Sequence, residues 1–259
     1  MPLTPEAIYV RAVHAMKDAP QPPYVTFRET VTGRNFRLAC TGDGMNLSLH
    51  HGDTTGTYDV WFRTRDASAV SRDVAPSTAS PCPGALLVPA GSVIPNLGVT
   101  QPSPSPSPDV ASESPAGMPI IAAVHVDAAR YYRIELVGRE NLDGNDVYHL
   151  KLTAYSDPTA HPLTDLYVDP QTFLVREARG EVSLHMVVAN GRFAGVVDFD
   201  RYGDYWLLKH EAFDAAANAL LVHAHMTAVV DATNVTTPND LPGVPFPTPQ
   251  PKATATSTR

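Results

Sequence analysis

The chain offers few constellations of residues with the type and spacing to do chemistry. In the run from Asp198 to Asp204, Asp198, Asp200 and Gly203 fall at positions 1, 3 and 6 of an EF-hand-type calcium loop. Tyr202 occupies position 5, and Lys209 stands where such a loop needs a bidentate Glu. The segment therefore reads as a strand entering a turn. Histidines number 10 and invite a metal hypothesis. His223 and His225 lie two apart and would share one face of a strand, and His50-His51 with Asp53 could add ligands from another. No HExxH or Cys/His spacing ties these groups to one centre, so no metal or other cofactor is expected. Nucleophilic catalysis has less support: there is no GxSxG, and Cys40 in an alternating segment reads as a small core residue. Glu135 and Glu177 lie on segments whose other face is apolar, where solvent exposure is the default for a carboxylate. No catalytic residue is assigned, and the chain is expected not to be an enzyme.

The elements that would position such groups follow two periodicities. At the start, Thr4 is placed to cap a helix, Pro5 sits where N1 prolines are tolerated, and Glu6 complements the helix dipole. Ile8, Tyr9, Ala12, Val13 and Met16 form an apolar stripe at helical spacing that ends near Asp18, before Pro20. The period then changes to two. Val25 and Phe27, then Phe36, Leu38 and Cys40, then Met45, Leu47 and Leu49, then Tyr58, Val60 and Phe62 alternate with polar neighbours. Thr32-Gly33, Gly42-Asp43-Gly44 and Gly52-Asp53 read as the turns between them. A second β-rich block starts near His125. Ile134 and Leu136 turn at Asp143-Gly144 into Leu150 and Leu152, Leu166 and Val168 end at Asp169-Pro170, and Phe173 and Val175 follow. Val182 and Leu184 lead to Asn190-Gly191, Val197 and Phe199 lead to Gly203-Asp204, and a last strand spans about 220–230. About ten strands with short connections imply antiparallel neighbours, and a sheet of that size must curl or close. The expected fold is mainly β (α+β): a curved antiparallel sheet forming an unclosed half-barrel around an N-terminal helix.

Composition bounds the rest. Of the 259 residues 43% are hydrophobic and 18% charged, and the 25 prolines crowd into residues 74–119 and 237–251. One domain over residues 1–235 is expected, interrupted by a Pro/Ser-rich insertion at about 74–119, with an unstructured Pro/Thr-rich tail at 236–259. A formal net charge of -8 argues against nucleic acid as a partner, and no apolar run reaches the roughly 20 residues a membrane helix needs. The first residues lack the charged start and apolar stretch of a secretory leader. Either the chain is cytoplasmic or its leader has been replaced by Met1; the low-complexity Pro/Ser/Thr tracts favour the second, a periplasmic or otherwise exported chain. Cys40 and Cys82 leave open a disulfide or two free thiols.

The segments TPEAIYVRAVHAMKD and PPYVTFRET resemble the outer-membrane lipoprotein carrier (LolA-like) superfamily. So do YYRIELVGRENLDGNDVYHLKL, DLYVDPQTFLVREARG and FAGVVDFDRYGDYWLLKHEAF, in the same order. The resemblance covers most of the chain outside the insertion and tail. It implies an unclosed barrel with a helical lid whose apolar concave face holds acyl chains, of a lipid or of a lipoprotein. On that reading Val25, Phe27, Phe36, Leu38, Leu47, Leu49, Tyr58, Val60, Phe62, Ile134, Leu136, Leu150 and Leu152 line the cavity. The same residues would serve equally as a core filled by the helix. A second expectation is an envelope sensor or scaffold whose sheet edges or Pro-rich insertion bind a protein partner.

Overall fold

In a computed structural model of the chain, the described residues are 3–41, 44–66, 68–75, 131–158, 161–185, 189–219 and 222–246. Side chains at 36–51, 66, 184, 185, 189, 217, 219, 222 and 224 fall outside that description. The insertion, Cys82 and the Cys40 side chain therefore lie outside the described residues.

Helix α1 spans Pro5–Asp18. Thr4 caps it, its hydroxyl accepting the Ala7 N–H at 3.2 Å. Its stripe of Ile8, Tyr9, Ala12, Val13 and Met16 is fully buried, as the spacing predicts. Ten strands follow: β1 (Tyr24–Thr41), β2 (Gly44–Arg63), β3 (Ser68–Asp73), β4 (Tyr132–Leu142), β5 (Asn145–Ala154), β6 (Leu163–Val168), β7 (Val175–His185), β8 (Ala189–Tyr202), β9 (Tyr205–Ala219) and β10 (Val222–Thr236). They form one antiparallel sheet in the order β3-β2-β1-β10-β9-β8-β7-β6-β5-β4. The sheet is not closed, and β3 and β4, consecutive in the chain, are its two edges. Among the described residues, the result is a half-barrel with a single N-terminal α-helix on its core side.

The first block differs from its sequence reading. Thr32-Gly33 and Gly52-Asp53 are not turns: Thr32 and Gly33 pair with Thr55 and Thr54, and Asp53 pairs with Arg34, inside one long β1–β2 hairpin. The register slips there between Arg34 and Phe36, with Asn35 and Gly52 both at positive φ. Glycine and Asn pairs mark an irregularity in a ladder as readily as a turn. Farther on, Asn190-Gly191 lies within β8, paired with His185 and Leu184, so the reversal falls a few residues earlier than the dipeptide suggests. The Asp143-Gly144 reading holds: both residues have positive φ, as a two-residue type I′ turn demands. The Asp169 carboxylate accepts the Gln171 and Thr172 N–H groups, both at 3.0 Å, and closes the β6–β7 loop.

Further register shifts occur between Thr26 and Arg28, Leu136 and Gly138, Leu163 and Asp165, Tyr167 and Val168, and Asp198 and Phe199. Each inserts residues into one strand of a pair, which bends that strand and increases local twist. Irregularities distributed over most of the ladders are how a ten-stranded sheet curls without closing.

Candidate functional site

Direct cross-strand partners point to the same face, so the registers define rows running across the half-barrel. One row is Leu150, Leu166, Ala178, Val197, Glu211, Val230 and Val31. All of these except Glu211 belong to the core on which α1 packs, so this is the concave face. Val25, Phe27, Tyr58, Val60, Phe62, Ile134, Leu150 and Leu152 lie in that same cluster, each at most 5% exposed. Leu136 pairs with Leu150 on the same face but is 38% exposed, on edge strand β4. The side chains of Phe36, Leu38, Leu47 and Leu49 are outside the described residues.

Beyond this core the same face continues. The next row is Gly180, Gly195, Phe213, Ala228, Gly33 and Thr54. The row after it is Val182, Phe193, Ala215 and Met226. Val182, Phe193, Phe213, Ala215 and Ala228 are all buried, yet none belongs to the cluster around α1. The Phe193 and Phe213 rings stack with centroids 5.7 Å apart. The concave face thus has two zones, a proximal one filled by the helix and a distal one of small residues around two aromatic rings.

Two carboxyl groups interrupt this apolar surface. Glu29 on β1 is fully buried, and Glu211 on β9 is 8% exposed. Burial pushes the Glu211 carboxyl up to about 7; the neighbouring His210 opposes the shift and the Glu29 charge adds to it. Sequence reasoning missed both residues. In β9 the slip beside Lys209 breaks the alternation, so Leu208 and Glu211, three apart, both face inward.

The convex face carries a different chemistry. His149, Tyr167, Glu177, Asp198, His210, Asp231 and Thr30 follow one another across six ladders. His149 sits between Glu140 and Asp165, each oxygen 2.8 Å from a ring nitrogen. Its ring stacks on Tyr167, whose other contact is the Arg179 guanidinium 5.0 Å from the ring centre. His210 bonds Asp231 at 2.6 Å. Asp59 is held below the usual carboxylate range by hydrogen bonds from Arg72 and Arg28. Asp198 is pushed up to about 6 by burial and the nearby Glu177 charge. It lines a cleft of about 110 Å³ with Arg176, Asp143 and Lys209.

His223 bonds Asn218 and His225 bonds Asp214, both on exposed side chains. Among the described residues no three His, Cys, Asp or Glu side chains are grouped to hold a metal. Asp200 faces Lys209 at 3.6 Å, and Gly203 opens the β8–β9 turn, so the Asp198–Asp204 run is a strand end.

This architecture, an open antiparallel half-barrel over a buried helix, is the class to which the chain belongs by fold. No family model matches it, and no curated protein does. Among solved structures, a LolA superfamily protein from Nitrosomonas europaea shares 14% identity over 93% of this chain and 96% of its own, with a TM-score of 0.32. A putative outer membrane lipoprotein-sorting protein domain from Vibrio parahaemolyticus shares 12% identity over 90% and 93%, with a TM-score of 0.36. The Pseudomonas aeruginosa MucA/MucB complex matches at 10% identity over 89% and 94%, with a TM-score of 0.25. At such identities and scores the functional reading rests on this chain's own residues.

Proposed function

We propose that the protein is a non-enzymatic, exported envelope protein that binds acyl chains of a lipid or lipoprotein on its concave face. The observation behind this is the distal zone: an apolar extension of the core face through Val182, Phe193, Phe213 and Ala215, outside the cluster that α1 completes. A helix that only plugged the sheet would be matched by a core ending where the helix ends. Small residues at Gly180, Gly195 and Ala228 give this zone little side-chain volume of its own. Each methylene buried there contributes roughly 0.8 kcal/mol.

The test is native mass spectrometry of protein expressed with an export leader and purified without detergent. An adduct of lipid mass, lost in a Phe193→Asp/Phe213→Asp variant that keeps its circular dichroism, supports the reading. A clean apo mass that persists after incubation with envelope lipids and lipopeptides defeats it.

A second reading, a scaffold that binds a protein partner at a sheet edge, is favoured by one observation. Leu136 and Val137 are 38% and 55% exposed side by side on edge strand β4. Charged groups dress the same strand, with Arg133 paired to Glu135 and Arg139 to Asp146, which is how natural edges discourage indiscriminate pairing.

A further inference from the structure

A cleft of about 110 Å³ is lined by Asp143 of the β4–β5 turn, Arg176 and Glu177 of β7, Asp198 and Asp200 of β8 and Lys209 of β9. Two buried polar atoms of its lining side chains meet no partner among the described residues: the acceptor Oδ1 of Asp198 and the donor Nε of Arg176. The Arg176 guanidinium is held in place, with Nη2 donating to Asp169 at 3.2 Å and its carbon 5.0 Å from the centre of the Trp206 ring. Asp198 pairs with His210 and Phe199 with Leu208, so Lys209 is the extra residue of a bulge beside the cleft. Bulges commonly re-aim side chains in this way. A buried polar atom without a hydrogen bond is costly, so an orphaned donor and an orphaned acceptor at one cleft point to a ligand that satisfies both.

Charge decides the kind of ligand. Lys209 lies 3.6 Å from Asp200, Arg179 bonds Glu177, and Arg176 bonds Asp169. Among the described residues, Asp143 and Asp198 remain as the lining acids outside any ion pair. The cleft is therefore net negative and favours a cation. No three His, Cys, Asp or Glu side chains among the described residues are grouped to hold a metal, which favours an organic cation. A liquid water takes roughly 30 Å³, so the cleft has room for about four non-hydrogen atoms. We propose that it binds an aminoethoxy group, a primary ammonium two carbons from an oxygen, with the ammonium donating to Asp198 and the oxygen accepting from Arg176 Nε. Burial, with the Glu177 and Asp143 charges, pushes the Asp198 carboxyl up to about 6 against the opposing His210 and Lys209, and an ammonium at Oδ1 relieves that. The same group occurs in free amino alcohols and at the head of phosphatidylethanolamine. The site is separate from the concave face and does not depend on acyl binding.

The experiment is an amide NMR titration of the isotope-labelled full chain at neutral pH with ethanolamine, propylammonium, ethylene glycol and calcium. Ethanolamine is expected to shift the amides of Asp143, Glu177 and Asp198. It should bind about tenfold tighter than ethylene glycol, which lacks the charge, and about threefold tighter than propylammonium, which lacks the oxygen. Asp198→Asn keeps shape and removes the charge, and should weaken ethanolamine about tenfold. Asp143→Asn, at a position with φ 50° that Asn readily adopts, should weaken it by a smaller factor. Circular dichroism checks both variants, and if Asp198→Asn does not fold, Asp143→Asn decides alone. Equal affinity for ethanolamine and ethylene glycol, or unchanged ethanolamine affinity in the folded Asp198→Asn variant, overturns the proposal. So does calcium acting at these amides where ethanolamine does not. If no probe shifts them, the cleft holds only water and the proposal falls. Once ethanolamine binding is established, vesicles of phosphatidylethanolamine with phosphatidylcholine, set against phosphatidylcholine alone, assign the source. Cosedimentation with the first makes the ligand a lipid head group, and its absence makes it a free amino alcohol.

Discussion

The two zones of the concave face are made by the same strands from different side chains. Under α1, the inward positions hold Tyr58, Phe62, Leu150, Leu166 and Tyr132, each 2% exposed or less, and the helix contributes Tyr9 and Met16 to the same cluster. Trp206 donates its ring N–H to the Val175 carbonyl at 2.7 Å, and the Val175 N–H lies 3.3 Å from the Met16 sulfur. Beyond Glu211, the inward positions shrink to Gly180, Gly195, Ala215 and Ala228, with Phe193 and Phe213 as the aromatic pair. The first zone is packed for stability, and the second forgoes side-chain volume that would have added to it. On the acyl-binding proposal, that smaller volume is what a bound chain would fill.

Truncation separates the zones most sharply. Leu150→Ala or Phe62→Ala, in the helix-filled zone, is expected to cost about 3–5 kcal/mol through lost transfer energy and a cavity. The expected readout is a large fall in the urea midpoint at unchanged slope. Phe193→Ala should cost clearly less and weaken acyl-probe binding instead. Were both zones equally costly and binding untouched, the distal zone would be ordinary core.

Protonation gives the next effect. The Glu211 carboxyl titrates near 4.5 in the unfolded chain and at about 7 in the folded protein. A raised folded value means that the native state holds its proton more tightly. Stability from this group is full below pH 4.5 and is lost as pH rises through about 7. The shift corresponds to about 3 kcal/mol as an upper figure, with Asp198, raised to about 6, adding in the same direction. Denaturation midpoints measured from pH 5 to 8 should therefore fall more steeply for the unmodified chain than for Glu211→Gln. Parallel curves would show that Glu211 is solvated after all.

How much of this was legible in the sequence follows from which signals are local. The helix was, because Thr4, Pro5 and the Ile8 to Met16 stripe are all local cues. So was the half-barrel, because alternation and short turns force antiparallel neighbours. The β1–β2 hairpin was misread at Thr32-Gly33 and Gly52-Asp53, since a bulge and a turn use the same residues. Of the cavity candidates, eight lie in the core cluster with α1, and alternation alone could not choose between a ligand cavity and a core filled by the helix. Glu211 stayed hidden for a physical reason. The slip at Lys209 shifts the face of every later residue in β9, and only pairing across the sheet reveals it.

The smallest expected effect tests the contrast from the convex side. Arg192 grips Glu181 with two bonds, 2.9 and 2.8 Å, holding the Glu181 carboxyl below its ordinary value. A lowered folded value is the opposite case to Glu211: stability is present above the unfolded pKa and is lost as pH falls through the folded one. Both side chains are well exposed, 58% and 39%, so water and salt screen the pair. Glu181→Gln should therefore cost less than about 1 kcal/mol, and the loss should shrink further in high salt. The same substitution at Glu211 should stabilise the protein at pH 8 and be nearly insensitive to salt, because that carboxyl is buried and its pKa is raised by desolvation. If the two variants moved stability in the same direction, the distinction between an exposed ion pair on the convex face and a buried acid on the concave face would collapse.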